Sequence, residues 1–245
     1  MDNNIPLGKQ FNLDDIFANL PTEVETVIEL PSKCKFYNSK NVTIRPMTFE
    51  DEKAMVLARK DKQDTINVIL ARCISGVDVG DLILIDKLYL ILKLREISYG
   101  DNYSVSVNCG KCTFENKLNF KLSDLPISYF DDAIQEIQEI TLPVTKVKVK
   151  IRYPRVSDEK YINDDIRVFD NLWRFVVEIQ DSDDPVLISK FLKDPRVPLK
   201  DMHTITNAIG LSEYGVQTKV RYDCESCGHA NVINLPLGAD FFTVS

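Results

Sequence analysis

Two short cysteine pairs set the tightest limit on what this chain can fold into. Cys109-Gly110-Lys111-Cys112 and Cys224-Glu225-Ser226-Cys227 stand 111 residues apart. Two cysteines at this spacing, placed in a tight turn between strands, direct both sulfurs at one point. Two such turns supply four thiolates, the closed tetrahedral set of a structural zinc ion. The flanks predict those strands. Tyr103 to Val107 enters the first turn and Leu118 to Phe120 leaves it. Val220 to Tyr222 enters the second, Gly228 opens the turn, and Val232 to Leu235 leaves. A redox pair normally opens a helix, which lowers the thiol pKa, whereas both pairs here sit between strands. The expected centre is therefore one structural zinc per chain on Cys109, Cys112, Cys224 and Cys227. An unmetallated pair of turns and a redox pair are its competitors.

The gap between the pairs far exceeds that of an ordinary zinc ribbon. A duplication accounts for it. Val42-Thr43-Ile44-Arg45 is echoed by Val149-Lys150-Ile151-Arg152, and six residues past each arginine comes Asp-Glu-Lys, at 51–53 and 158–160. The offset then grows from 107 to 115 and holds. Asp86 matches Asp201, Tyr99-Gly100 matches Tyr214-Gly215, and Val105 matches Val220. The four cysteines match pairwise, and Asn116, Asn119 and Leu122 match Asn231, Asn234 and Leu237. Nine identities in 37 gapless columns, with the element order kept, favour a duplicated domain over chance. The period is too long for a solenoid. Each half would contribute one turn, and the metal would join the halves across a pseudo-twofold axis.

The expected architecture is α+β, with an N-terminal arm over 1–21, a first half over 22–130 and a second over 131–245. The arm is polar apart from one short helical signal, Leu13 to Leu20. Thr22 to Leu30 and Val42 to Arg45 read as strands. Thr48-Phe49-Glu50-Asp51 fits a helix start, and Asp64 caps a second helix with Ile66, Ile69, Leu70 and Cys73 on its apolar face. A third helix, Asp81 to Ile97, is apolar on most sides and should be buried. In Thr145 to Arg152 the apolar Val147, Val149 and Ile151 face away from Lys146, Lys148, Lys150 and Arg152. A long helix is expected from Asp158 to Glu178. An acidic loop at Asp181 to Pro185 follows, as the insertion that distinguishes the second half. Helices at Val186 to Leu192 and Leu199 to Leu211 complete the reading, with strands at Thr218 to Tyr222 and Val232 to Leu235.

No catalytic set emerges. Two histidines leave little general-base chemistry, and the phosphate-loop, dinucleotide, nucleophile-elbow and zinc-protease motifs are missing from the sequence. His229 is not needed as a ligand, because its counterpart is Phe114. His203 reads as a partly buried packing residue. Cys73 behaves as a small hydrophobe. Cys34, flanked by Lys33 and Lys35, has room to be exposed, but no acid-base set accompanies it. The acidic loop lacks the spacing and glycine of a calcium loop. Thirty basic residues against 37 acidic ones give a net charge of -7, which opposes general binding to phosphate backbones. The basic stripe at 146–152 therefore reads as a solvated strand face. The start of the chain lacks an apolar signal core, and no apolar run reaches a membrane span. A virion or cytosolic setting with reduced thiols is expected.

Leu30-Pro31-Ser32-Lys33-Cys34-Lys35-Phe36-Tyr37, followed by Ile44-Arg45-Pro46-Met47-Thr48 and Glu50-Asp51-Glu52, resembles the opening of baseplate hub proteins of T-even-type contractile-tailed bacteriophages. Leu92 to Asp101, followed by Cys109 to Cys112, resembles a second signature of that family. The resemblance covers most of the chain beyond the arm. It implies a late viral protein that helps build the central hub, either as a subunit retained in the tail baseplate or as an assembly factor in the host cytoplasm. Its partners would then be other baseplate or tail proteins, met through apolar patches and the arm, with no sequence-specific nucleic acid. The resemblance supplies no ligand set, so the zinc expectation rests on spacing alone. The competing function is a zinc-ribbon nucleic-acid-binding regulator, which Asp223 and Glu225 beside the second turn oppose. A thiol-based enzyme would need an exposed cysteine of low pKa.

Overall fold

The computed structural model describes residues 25–162, 170–211, 213–235, 237 and 239–242. The expected arm and its Leu13 to Leu20 helix lie outside these residues. Strands β1 (Thr26–Ile28), β2 (Val42–Ile44) and β3 (Ile74–Ser75) form an antiparallel sheet in that order. Helices α1 (Phe49–Lys60) and α2 (Thr65–Cys73) connect β2 to β3. Both helices begin where the sequence signals them. The Thr48 amide and hydroxyl donate to Asp51 Oδ2, each at 2.9 Å. Asp64 Oδ1 accepts from the Asn67 amide at 3.0 Å, which satisfies an otherwise orphan donor of the first turn. Ile66, Ile69, Leu70 and Cys73 are all buried, as their spacing predicts.

Helix α3 (Leu84–Tyr99) starts three residues later than expected, after a 3₁₀ turn at Val79–Asp81. It runs through the core and buries charges as well as leucines, so each buried charge has a partner. Asp86 accepts from the Ser32 amide and the Tyr37 hydroxyl, Lys87 pairs with Glu159, and Arg95 donates to the Phe241 carbonyl. Gly100, at φ +92°, ends the helix in a conformation that suits glycine. The hairpin β4 (Asn102–Asn108) and β5 (Glu115–Lys121) follows.

Beyond a short strand β6 (Ile127–Ser128), a second sheet is built from β7 (Ile137–Thr141), β8 (Lys148–Arg152) and β9 (Val176–Ile179), in that order and antiparallel. On β8, Val149 and Ile151 are fully buried, while Lys148 and Lys150 meet Glu139 and Glu178 across the strands. The helix expected from Asp158 to Glu178 is corrected at both ends, while Asp170 and Asn171 within it are helical. Val156–Tyr161 and Leu172–Arg174 are 3₁₀ turns, and Val176–Ile179 is a strand. Residues 163–169 lie outside the described set. The reason is tertiary: β8 has a second edge whose backbone groups need partners, and the β-branched Val176, Val177 and Ile179 suit that edge. Strand β7 went unsignalled.

Helices α4 (Pro185–Lys193) and α5 (Leu199–Gly210) cover this sheet, and Asp184 caps α4 at the end of the acidic loop. Strand β10 (Gly215–Val216) pairs with β6, and a second hairpin, β11 (Lys219–Asp223) and β12 (Ala230–Asn234), closes the chain. One core gathers β2, α1 to α3 and both hairpins, including Val220, Ile233 and Leu235. The other gathers β8, β9, α4 and α5, with Ile83 from just before α3. Among the described residues, no helix is long and apolar enough to cross a membrane.

Two local arrangements recur along the chain. Arg45 binds Asp51, the Cys73 carbonyl and the Arg72 carbonyl. Arg152 binds Asp158, the Phe175 carbonyl and the Arg174 carbonyl. Asp86 accepts the Ser32 amide beside Leu30-Pro31, and Asp201 accepts the Val144 and Thr145 amides beside Leu142-Pro143. Asp86 and Asp201 each sit in the first turn of a helix, at the positive end of its dipole.

Candidate metal centre

The centre is made by two hairpins of the same design. Strands β4 and β5 pair in register from Asn102↔Lys121 to Asn108↔Glu115, and β11 and β12 from Lys219↔Asn234 to Asp223↔Ala230. Each turn then closes identically. The Cys109 amide donates to the Phe114 carbonyl and the Thr113 amide to the Cys109 carbonyl. The Cys224 amide donates to the His229 carbonyl and the Gly228 amide to the Cys224 carbonyl. The turn needs one left-handed residue, which is Thr113 at φ +59° in the first hairpin and Gly228 at φ +65° in the second.

These turns bring all four expected sulfurs together. Cys109 Sγ lies 3.8 Å from Cys227 Sγ, and Cys112 Sγ 3.7 Å from Cys224 Sγ. Both short contacts cross between the hairpins, and each maps onto the other when the two hairpins exchange. All four sulfurs lie within 4.8 Å of one another. A tetrahedron with metal–sulfur bonds of about 2.3 Å has edges of about 3.8 Å. The separations therefore suit a shared metal and are far longer than a disulfide. Four sulfur ligands would leave no open coordination position, so the donor set fits a structural ion rather than a catalytic one.

The electrostatics favour a cation. Amides of Cys112 and Lys111 point at Cys109 Sγ, joined by the Asn231 and Cys224 side chains, and lower the Cys109 pKa to about 6 despite burial. Burial works against a thiolate at Cys224, but the amides of Cys227 and Ser226 outweigh it and lower its pKa. At Cys227 the His229 amide favours the thiolate. Hydrogen bonding to Cys112, burial and the Cys109 and Cys224 sulfurs prevail, and its thiol is pushed up to about 12. Sulfurs this close cannot all become anionic cheaply until a cation sits among them. Cys109 and Cys224 are buried, while Cys112 and Cys227 lie at the surface.

Two asparagines complete the site, and neither received a role from the sequence. Asn116 Oδ1 accepts from the Glu225 amide at 2.9 Å, and Asn231 Oδ1 accepts from the Gly110 amide at 3.1 Å. Each asparagine thus reaches the opposite turn. The available signal was their shared place, four residues after each second cysteine.

The remaining candidates fall elsewhere. Cys34 is buried at φ +55°, not exposed as its lysine neighbours suggested, because the Leu30 to Tyr37 turn folds inward over Asp86. Burial and the charges of Asp86 and Glu29 raise its pKa, which disfavours the reactive thiolate. Cys73 is buried and its thiol is pushed up to about 12, mainly by that burial. His203 is exposed, contrary to expectation, because Asp201 and Ile205 take the inner face of α5. His229 is exposed and contributes its backbone carbonyl to the turn. In the basic stripe, Lys148, Lys150 and Arg152 are each paired with a carboxylate.

A family model described as T4 bacteriophage base plate protein matches residues 22–243. No curated protein and no solved structure matches the chain.

Proposed function

The chain belongs to the T4 bacteriophage base plate protein family, and we propose that it acts there as a non-enzymatic hub subunit or hub-assembly factor. In this reading it consists of two halves, 22–130 and 131–245, descended from one duplicated unit and preceded by an arm over 1–21. A structural zinc on Cys109, Cys112, Cys224 and Cys227 locks the two hairpins together. The observation that carries the reading is the reciprocal pairing of sulfurs, Cys109 with Cys227 and Cys112 with Cys224. The repeated Arg–Asp and Asp–turn arrangements support the duplication. A metal held this way contributes directly to folding, because the unfolded chain has no site for it.

The surface suits protein contacts. Helix α1 exposes Phe49, Val56 and Leu57, the last two of which lie two turns beyond the first on the same side. Three of the four cations of the 146–152 stripe, Lys148, Lys150 and Arg152, are engaged by carboxylates, which leaves little for phosphates.

Elemental analysis of chelator-free protein should find about one zinc per chain; none would end the zinc reading. A pull-down from infected cells, compared with the protein content of purified particles, tests the role. Recovery with tail proteins supports it, and presence or absence in the particle separates subunit from assembly factor. Recovery of nucleic acid in place of tail proteins would refute it.

A further inference from the structure

We propose that Asn116 and Asn231 are positioning residues for the four-sulfur centre. Each clamps the opposite turn, so that the sulfurs stand at metal-binding separation before the metal arrives. The proposal rests on the zinc reading above and adds to it the device that builds the site.

The geometry is reciprocal. A side-chain amide offers an acceptor and two donors, and both asparagines use both functions. Asn116 Nδ2 donates to the Phe114 carbonyl of its own turn at 2.9 Å, while its Oδ1 takes the Glu225 amide of the other. Asn231 Nδ2 donates to the His229 carbonyl of its own turn at 2.7 Å, while its Oδ1 takes the Gly110 amide of the other. Asn231 Nδ2 also lies 3.6 Å from Cys109 Sγ. The two amides captured follow Cys109 and Cys224, the buried sulfurs of each turn. A shift of either amide would carry its neighbouring sulfur away from the opposite hairpin. Reversing either side-chain amide would set donor against donor, so the contacts fix the orientation.

The chemistry selects asparagine. At either position, leucine or alanine would leave one amide of the opposite turn without its acceptor. Aspartate would keep the acceptor but lose the donor to the turn carbonyl, and it would add a negative charge beside four thiolates. Hydrogen-bonded groups that orient metal ligands commonly change affinity by about 10- to 100-fold when removed.

The test uses the full chain. Zinc affinity is measured by chelator competition for wild type, Asn116→Ala, Asn231→Ala and Asn231→Asp, with cobalt(II) absorption as a check on tetrahedral thiolate geometry. Asn119→Ala, which removes only the partner of the Ser104 hydroxyl on β5, is the control. Each alanine variant should lose about 10- to 100-fold in zinc affinity, Asn231→Asp should lose affinity as well, and the control should match wild type. Amide exchange in the metal-free protein gives an independent readout. Asn116→Ala should speed exchange at Glu225 and Asn231→Ala at Gly110, each in the hairpin that was not mutated. Alanine variants within about twofold of wild-type affinity would overturn the proposal while leaving the zinc reading intact. Faster exchange confined to the mutated hairpin would do the same. A wild-type chain that takes up no zinc would overturn both.

Discussion

Replacing Asp51 with asparagine removes a buried charge that several elements share. Its side chain has no solvent exposure. It accepts from Arg45 Nη1 at 2.7 Å, Arg72 Nε at 2.7 Å, and the amide and hydroxyl of Thr48. The carboxylate therefore ties β2 to the ends of α1 and α2. Breaking a buried ion pair costs about 3–5 kcal/mol, because the surviving charge stays buried. Arg45 is only 14% exposed and will feel that cost. Arg72 is 42% exposed and can turn to water, so its share is about 0.5 kcal/mol. Asparagine still accepts from Thr48, which preserves most of a cap worth about 1 kcal/mol. The sum lies near the lower bound, about 3 kcal/mol, or a Tm lower by about 6–12 °C at this chain length.

The pH dependence follows from the same contacts. Burial alone would raise the Asp51 pKa, but Arg45, Thr48 and Arg72 hold the carboxyl far below the usual range. A group whose pKa is depressed by folding contributes stability above its unfolded pKa, about 3.9, and loses it as pH falls toward the folded value. The gap between wild type and Asp51→Asn should be full at neutral pH and close in acid. Asp158 offers the internal comparison. Its Arg152 partner is 31% exposed, so Asp158→Asn should cost less, about 1–2 kcal/mol. Urea unfolding followed by circular dichroism measures both. A cost at Asp51 below about 1 kcal/mol, or an equal cost at Asp158, would refute the reasoning. So would a gap that stays constant from neutral pH into acid.

Asp86 should show the opposite trend. Burial raises its pKa against the pull of Ser32 and Tyr37, so its contribution is present below the unfolded pKa of about 3.9 and is lost as pH rises. Asp86→Asn should therefore gain on wild type from about pH 4 to pH 7 in thermal melts; a gap that moves the other way would contradict this. Cys73→Ser should cost about 1 kcal/mol, because the buried hydroxyl loses water but has Asp51 beside it as an acceptor, with zinc content unchanged. Cys109→Ser should lose both metal and stability, and a Cys73 variant that also lost zinc would break the distinction. Removing residues 1–21, which precede the family match, should weaken binding to tail proteins in pull-downs and leave the melting midpoint nearly unchanged. A truncated chain that unfolds would place those residues in the core.

Much of the local structure was legible because its causes are local. A threonine three residues before an aspartate starts α1, Asp64 caps α2, and the alternation from Val147 to Ile151 gives β8 its buried face. Spacing within each turn identified the four sulfurs, and the offset of 115 residues linked Cys109 to Cys224 and Cys112 to Cys227 as counterparts. Those signals need only neighbours a few residues away, or a second copy of the same pattern.

The rest depended on packing between distant segments. The stretch expected as a helix ends in β9 because β8 had an unpaired edge, which no local pattern announces. Cys34 is buried because the turn around it folds over Asp86, 52 residues away in sequence. The sequence offset pairs Cys109 with Cys224, whereas the short contacts across the hairpins join Cys109 to Cys227 and Cys112 to Cys224. Chain order could list the four sulfurs, but not how the turns face each other. That choice is made where Asn116 and Asn231 cross between hairpins, through contacts spanning 109 and 121 residues. Hydrogen bonds act over about 3 Å, so only the folded chain brings such groups within reach.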